Sequence, residues 1–185
     1  MRVIAGAAGG LHLDVPKTEV RPTMDRVKAA IFSSLGDQII GARVLDLFAG
    51  TGALGIEALS RGAASALFVE ENAAAVAAIE RNLARTKLEG RVRKQDVFAF
   101  LDNASASGPY TIIFADPPYE KTKSGGQFTS LLLDDLRLAE MLAPGGIFVL
   151  EKRPGELTPA TSLWEIARAR RYGATEVLFL HRPAR

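Results

Sequence analysis

Short apolar runs alternate with helical patterns through most of this chain, and that alternation constrains the fold more than any other feature. Four apolar runs are typical of buried strands, a short segment at 91–95 predicts one more strand, and patterns with helical spacing lie between them. Alternating βαβα units predict an α/β fold with a mostly parallel sheet and helices on both faces. The predicted strands are 42–48, 66–70, 91–95, 110–115 and 147–151, and the predicted helices are 53–60, 73–87, a short one after 96, and 128–142.

Both ends of the chain depart from this alternation. Residues 2–15 alternate around a glycine-rich turn and predict a small hairpin, and Thr23 is placed to cap a helix over 24–35. Near the other end, 163–171 and 174–182 predict two longer strands joined at Tyr172-Gly173. This last pair predicts an antiparallel edge, which brings the expected sheet to seven strands.

Composition narrows the class of protein. With 185 residues and 48% hydrophobic composition, we expect one domain, 1–185, in which 1–40 extends a core of 41–185. No apolar run approaches membrane-spanning length, and the start shows no signal-peptide pattern. Cysteine is absent and only two histidines occur, which argues against thiolate chemistry and a metal centre. We expect a cytoplasmic protein that acts as a monomer without metal or membrane.

Charge is distributed unevenly along the chain. Residues 1–45 carry six Lys/Arg against four Asp/Glu, residues 151–185 carry seven against four, and the middle carries ten against thirteen. Basic ends of this kind can contact a polyanion through its phosphates, and they can equally be scatter on a solvated surface. Charge alone leaves both interpretations open.

The predicted strands deliver acidic residues and glycines to one edge of the sheet, where ligands bind in such folds. The first strand ends in Asp46 and runs into Gly50-Thr51-Gly52, where backbone can come close to a ligand. The second ends in Glu70, placed to accept both hydroxyls of a ribose. The third is followed by Asp96, which can accept from an adenine amine or simply cap the next helix.

The fourth strand leads into Asp116-Pro117-Pro118-Tyr119. The two prolines end the strand, because neither donates to a ladder and each restricts its own φ. The Asp116 carboxylate and the Pro117 carbonyl can accept the two N–H bonds of an exocyclic amine. Tyr119 can stack on the face of the ring that carries it. The run therefore predicts a site that holds a planar amine.

Together these features favour an S-adenosylmethionine site over a nicotinamide-dinucleotide site. The glycine pattern alone fits a nicotinamide enzyme as well, but such an enzyme needs a second nucleotide-binding half or a substrate domain. The length of the chain leaves little room for either. A methyl-donor site needs a close backbone turn, a ribose acid and an adenine acceptor, which occur here in that order.

Three segments resemble bacterial RsmD-type enzymes, the 16S rRNA guanine-N2 methyltransferases among the Rossmann-like class I S-adenosylmethionine-dependent methyltransferases. They are 21–32, 45–62 and 114–119, and the terminal segment 172–180 also fits. The resemblance covers nearly the whole chain. It implies methyl transfer to guanine N2 in 16S rRNA or in a small-subunit assembly particle. The last of the three segments is shared with adenine and cytosine amine methyltransferases.

The resemblance also implies roles for individual residues. The target guanine would be held by the catalytic run Asp116, Pro117, Pro118 and Tyr119. S-adenosylmethionine would be bound by Thr23, Asp46, Phe48, Ala49, Gly50, Gly52, Glu70, Asp96, Val97 and Asp116. The RNA-binding candidates are Arg21, Arg26, Lys28, Lys121 and Lys123. For the first three of these, orientation of their own segment or a solvated helix start is an equal alternative.

One departure from the family concerns the first hairpin. Its turn usually carries several basic residues in the family, but here no Arg or Lys lies between Arg2 and Lys17. The RNA substrate is therefore less well supported than methyl transfer. Three alternatives remain: an adenine-N6 DNA methyltransferase, a nicotinamide-dependent oxidoreductase, and a non-catalytic RNA-binding module.

Overall fold

One seven-stranded sheet organises the protein. A computed structural model describes residues 1–15, 23–103, 108–118 and 127–184, with backbone only for Thr23 and Met24. The strands are β1 Arg43–Leu47, β2 Ser65–Glu70, β3 Arg91–Lys94, β4 Tyr110–Ala115, β5 Leu142–Lys152, β6 Glu165–Tyr172 and β7 Thr175–His181. The helices are α1 Thr23–Leu35, α2 Ala53–Ser60, α3 Ala73–Thr86, α4 Val97–Asn103, α5 Gln127–Leu133 and α6 Leu136–Met141, with a 3₁₀ turn at Gly36–Ile39.

The strands lie in the order β3-β2-β1-β4-β5-β7-β6. The first five are parallel, whereas β7 is antiparallel to both β5 and β6. The predicted fold class, including the antiparallel pair at one edge, is confirmed. Chain order reverses between β1 and β4, and a crevice at such a switch point is where ligands bind in α/β sheets.

Helices cover both faces of the sheet because the buried strands are apolar on both sides. On one face, α1, α2 and α3 pack against a cluster that includes Phe32, Phe68 and Phe114. On the other face, α4, α5 and α6 pack against a cluster that includes Leu45, Phe148 and Trp164. The strand ends are thus held rigidly from both sides.

Two sequence predictions are corrected near the second half of the sheet. The single helix predicted over 128–142 is two helices, because Asp135 leaves the helical conformation and its Oδ1 accepts hydrogen bonds from the N–H groups of Arg137 and Leu138. The strand predicted over 147–151 begins earlier, at Leu142, which pairs with Tyr110. A register shift then absorbs the proline and glycines that were expected to separate helix from strand.

The predicted N-terminal hairpin pairs through an antiparallel bridge between Arg2 and His12, with backbone hydrogen bonds from Val3 N–H to the Leu11 carbonyl (2.9 Å) and from Leu13 N–H to the Met1 carbonyl (3.1 Å). Glu57 of α2 also holds the segment: its two carboxylate oxygens accept from the N–H groups of Ile4 (2.7 Å) and Ala5 (3.1 Å). Gly6 has φ +84°, and a Cβ there would lie 1.8 Å from the carbonyl oxygen of Ser60. Only glycine permits this close approach.

Candidate active site at the carboxyl edge of the sheet

Acidic side chains from neighbouring strands converge where the strand order reverses. Asp46 lies in β1 beside Phe114 of β4, and Glu70 ends the adjacent strand β2. Asp116 follows β4 directly. The negative charges of Asp116 and Glu70 both act on Asp46. The structure therefore brings together three acids that lie far apart along the chain.

The turn after β1 approaches the crevice with its backbone. Phe48, Gly50 and Gly52 have φ values of 53°, 55° and 79°, all in the left-handed region. The Gly52 N–H donates to the carbonyl oxygen of Ala49 at 2.7 Å, which closes a tight turn before α2 begins. Glycine tolerates this conformation, whereas Phe48 is strained there. Strain in a non-glycine residue beside the crevice indicates a local constraint at a binding site.

Asp46 is buried, with 2% of its surface exposed. Burial raises the pKa of its carboxyl to about 8, against the opposing effect of the hydrogen bond that its Oδ2 accepts from the Gly55 N–H at 2.8 Å. The charges of Asp116 and Glu70 raise it further. The ionised form of Asp46 is therefore disfavoured in the free protein, and a cationic ligand in the crevice would favour it.

Glu70 ties the second strand to the glycine turn. Its Oε2 accepts from the Gly50 N–H and its Oε1 from the Asn72 N–H, both at 2.8 Å. The Oδ1 of Asn72 in turn caps α3 by accepting from the N–H groups of Ala74 and Ala75. Carboxylate oxygens have further lone pairs, so Glu70 is oriented without being saturated.

The positions of Asp96 and Val97 match the adenine contacts implied by the resemblance only in part. The Oδ1 of Asp96 accepts from the Ala99 N–H at 2.8 Å, so this residue does cap α4. The carboxylate is nevertheless exposed at the same edge. Val97 is only 3% exposed and belongs to the core beneath that edge, which leaves little of it to meet an adenine ring.

The residues of the turn after β4 differ in their exposure. Asp116 is partly exposed, Pro117 is buried and Pro118 is exposed. Other predicted site residues lie outside the described part of the chain: Tyr119, Arg21, Lys121, Lys123 and the side chain of Thr23.

The RNA-binding role predicted for Lys28 is corrected by the structure. It is 3% exposed, and its Nζ lies 3.3 Å from Oε2 of Glu57 and donates to the Arg2 carbonyl oxygen at 2.6 Å. Burial lowers the pKa of this amine, although Glu57 opposes the shift. A buried, paired lysine cannot reach a surface phosphate, so of its two predicted roles only orientation of the segment fits. Arg26 is exposed.

Sequence reasoning missed two features of the edge. Glu151 lies in β5 one step beyond Leu150, the partner of Ala115, and burial together with the charge of Asp116 raises its carboxyl pKa well above the ordinary value. Phe48, Phe98 and Phe128 form a cluster with ring centroids 5.6–6.3 Å apart. Glu151 carried a readable signal, an acid at the end of a buried run, whereas the cluster joins distant segments and carried none.

Asn82 connects the glycine turn to the N-terminal segment. It is fully buried, and its Nδ2 donates to the carbonyl oxygens of Thr51 at 3.0 Å and Asp14 at 3.1 Å. Its Oδ1 accepts from the Asp14 N–H at 2.7 Å. One side chain thus fixes the turn relative to the segment that leads into 16–22.

Two searches of the described residues bear on other classes of protein. Within the ranges given above, no helix has the length and apolar character needed to cross a bilayer. Among the same residues, no group of three or more His, Cys, Asp or Glu side chains is arranged to hold a metal ion.

Solved structures define the class to which this fold and site correspond. A candidate methyltransferase of Escherichia coli, yhhF, gives a TM-score of 0.80 at 31% identity, over 100% of this chain and 99% of that chain. A 16S rRNA guanine-N2 methyltransferase of Thermus thermophilus, solved with AdoMet and guanosine, gives 0.69 at 24% identity over 90% of this chain and 44% of that chain. The fold is that of the class I methyltransferases.

The family follows from the sequence comparisons. A family model described as Conserved hypothetical protein 95 matches residues 1–181, and the chain belongs to this family. The candidate rRNA methyltransferase YlbH of Bacillus subtilis is 38% identical over 182 residues, 96% of either chain. The Ribosomal RNA small subunit methyltransferase D of Escherichia coli is 42% identical over 123 residues, 65% of this chain and 61% of that protein.

Proposed function

We propose that this protein transfers a methyl group from S-adenosylmethionine to the exocyclic N2 amine of a guanine in 16S ribosomal RNA. One observation carries the proposal: Asp46 of β1 pairs with Phe114 of β4, which places Asp116, the acid of the amine-binding run, just beyond the strand that adjoins Asp46. This placement supports a single crevice for the amine and the methyl donor. Relatives named as small-subunit rRNA methyltransferases support the substrate class.

The residues of the crevice fit the cofactor. S-adenosylmethionine brings a sulfonium and an ammonium group, and these cations would favour ionisation of carboxyls whose pKa values burial has raised. Asp46 and the turn Gly50–Gly52 would surround the methionine portion, and Glu70 would accept from the ribose hydroxyls. Asp96, exposed at the edge, would meet the adenine amine.

The cofactor supplies an already activated methyl group, so the protein's task is to prepare the nitrogen. The lone pair of a guanine N2 is delocalised into the ring. Hydrogen bonds from the amine to Asp116 and to the Pro117 carbonyl favour a pyramidal nitrogen with more localised electrons. As the new N–C bond forms and the C–S bond breaks, the amine loses one proton to Asp116 or to water. Positioning at attack distance contributes on the order of 7–11 kcal/mol.

Recognition of the base requires that it leave its stack. Tyr119 would replace the lost stacking, and the segment 120–127 would close over the substrate with Lys121 and Lys123 near phosphates. Arg21 and Arg26 would contact the RNA from the start of α1. We propose a cytoplasmic monomer built as one domain, with 1–40 as an extension of the core, acting on 16S rRNA or a small-subunit particle.

A transfer assay tests the function. Purified protein with methyl-labelled S-adenosylmethionine should label 16S rRNA from cells that lack it, and digestion should yield N2-methylguanosine. Asp116→Ala should bind the cofactor and give no product. Label in N6-methyladenine of DNA, or tight binding of NAD without S-adenosylmethionine binding, would replace the proposal with one of the alternatives.

A further inference from the structure

The outermost strand β6 is exposed along its length and rich in arginine. Its residues Glu165 to Arg171 are all exposed, and Arg168, Arg170 and Arg171 lie among them. In the described part of the chain, no carboxylate forms an ion pair with Arg168 or Arg170. Within the described residues, these two arginines, which we call the arginine row, therefore carry positive charge without an ion-pair partner.

Strand pairing places the arginine row on one face of the sheet. Arg168 pairs with Phe179 and Arg170 with Val177, and directly paired residues project to the same side. Phe179 and Val177 belong to the core cluster beneath α1, and the Arg168 guanidinium lies 5.9 Å from the Phe179 ring centroid. The row thus lies on the face of the sheet that α1, α2 and α3 cover, and α1 carries the exposed Arg26.

The same pairing relates the row to the crevice. Val177 pairs with Glu151 on one side and with Arg170 on the other, so these three residues form one line across the sheet. At ~4.8 Å between strands, Arg170 lies roughly 10 Å from Glu151, and Asp116 is one strand further. Since β6 runs in the direction of β5, the arginines approach the edge that holds Asp116.

The direction from which a substrate can approach Asp116 is limited by the cofactor residues. Glu70 and Asp96 follow β2 and β3, so the proposed cofactor extends from the switch point toward β3. The acceptor must then lie over β4, β5, β7 and β6. The described side chains at the centre of the crevice include the carboxyl groups of Asp46, Asp116 and Glu151, which do not attract phosphates, so positive charge on the flank would hold a polyanion there.

We infer that Arg168 and Arg170 bind the phosphate backbone of the substrate RNA a few nucleotides from the target guanine. This inference rests on the proposed function and extends it to a surface. Two arginines at i and i+2 on a strand stand ~6.6 Å apart, close to the separation of successive phosphates. Guanidinium groups match phosphate oxygens in a two-pronged geometry.

Protection of a sheet edge against aggregation is the competing explanation, and the chain contains its own control. The opposite edge strand, β3, also carries two exposed arginines at i and i+2, Arg91 and Arg93, which form no ion pair in the described residues. They lie on the cofactor side. Edge protection assigns equal roles to both pairs, whereas RNA binding requires only the β6 pair.

The experiment compares Arg168→Gln/Arg170→Gln with Arg91→Gln/Arg93→Gln in the full chain, using a 16S rRNA transcript and small-subunit particles from cells that lack the protein. The β6 variant should raise the RNA Kd about tenfold at 0.15 M salt, and the slope of log K against log salt should fall by roughly 1.4. The cofactor Kd and kcat at saturating RNA should stay unchanged. The β3 variant should match wild type, and Arg168→Lys/Arg170→Lys should restore the salt slope.

Other results would overturn the inference. Equal loss of RNA affinity in both variants would show a general charge effect. Unchanged RNA affinity in both variants would show that the RNA does not cross β6. The same conclusion would follow if the β6 variant bound naked RNA normally but changed its oligomeric state, or lost activity only on particles. If wild type itself transfers no methyl group to RNA, the proposed function fails before this comparison begins.

Discussion

The two halves of the carboxyl edge differ in how their charged groups are held. On the side of the proposed cofactor, Asp46 and Glu70 accept hydrogen bonds from backbone N–H groups that lie between 2 and 20 residues away along the chain. On the acceptor side, Asp116, Glu151 and Arg170 come together only through the register of β4, β5, β7 and β6. A binding site for a small, constant ligand can be built from local motifs, whereas a surface for a large polymer needs groups spread across strands.

Replacing Asp116 should show most clearly that the acceptor side of the edge has a different role from the cofactor side. Asp116→Ala removes an acceptor for the amine and should lower kcat on the order of 10³-fold, because an aligned hydrogen-bond partner in the transition state is lost. The Kd for S-adenosylmethionine should change far less than kcat, because Asp116 is only one of ten residues expected to contact the cofactor. Asp37→Ala, which alters an exposed acid on the 3₁₀ turn, is the matched control. Retained turnover in Asp116→Ala would remove the amine-binding role.

The buried ion pair beneath the N-terminal segment should have a large effect on stability. Glu57 is fully buried and meets Lys28 and Arg61 as well as two backbone N–H groups. Glu57→Ala should lower the free energy of unfolding by about 3–5 kcal/mol, because it leaves a buried lysine without its partner. Chemical denaturation measures this. The double variant Glu57→Leu/Lys28→Met should recover part of the loss, and equal instability of both variants would contradict the pairing.

Glu70 tests the cofactor side alone. Glu70→Ala should weaken S-adenosylmethionine binding by roughly 10- to 100-fold, through the lost charge-assisted hydrogen bonds and the untethered Gly50 turn. Glu70→Gln keeps one acceptor and should lose less. Titration calorimetry gives both values, with the exposed neighbour Glu71→Ala as control. Unchanged cofactor affinity alongside weakened RNA binding would reverse the assignment of the two halves.

The raised pKa of Asp46 predicts a smaller, graded effect of pH. Below pH ~8 the cofactor-free protein holds a proton on this carboxyl, and a cationic ligand favours its release. Cofactor affinity should therefore rise with pH up to about 8, by at most ~10-fold per unit. Calorimetry in buffers of different ionisation enthalpy should show proton release, and Asp46→Asn should abolish it.

The same shift has an opposite consequence for the stability of the free protein. Asp46 keeps its proton in the folded state but has lost it in the unfolded chain between the ordinary carboxyl range and pH ~8. Its contribution to the free energy of unfolding should therefore fall as pH rises through that window. A contribution that grew with pH would show that Asp46 is ionised in the free protein.

How far the sequence could predict the molecule follows the same division. The strand 110–115, the helix 53–60 and the Asn72 cap were predictable, because apolar runs and caps are local signals. The split at Asp135 was missed because apolar residues at helical spacing continue on both sides of Asp135 and conceal its local cap. The burial of Lys28 depends on Glu57, far along the chain, and no local pattern announces it.

The charged groups of the acceptor side were the hardest to predict. Arg168 and Arg170 contributed only to the basic count of the C-terminal segment, since their position beside the crevice depends on how β6 pairs with β7. Glu151 was visible as a strand end, but its position beside Asp116 follows from the parallel register of β4 and β5. Register sets such neighbours, and a single sequence specifies it only weakly.

The central claim is that one crevice joins a methyl donor to a guanine N2 of 16S rRNA. Nucleosides of 16S rRNA should be mapped by mass spectrometry in cells with the gene, without it, and complemented with Asp116→Ala. We predict that one N2-methylguanosine is lost on deletion, returns with the wild-type gene and stays absent with the variant. An unchanged set of N2-methylguanosines in the deletion strain would contradict the account.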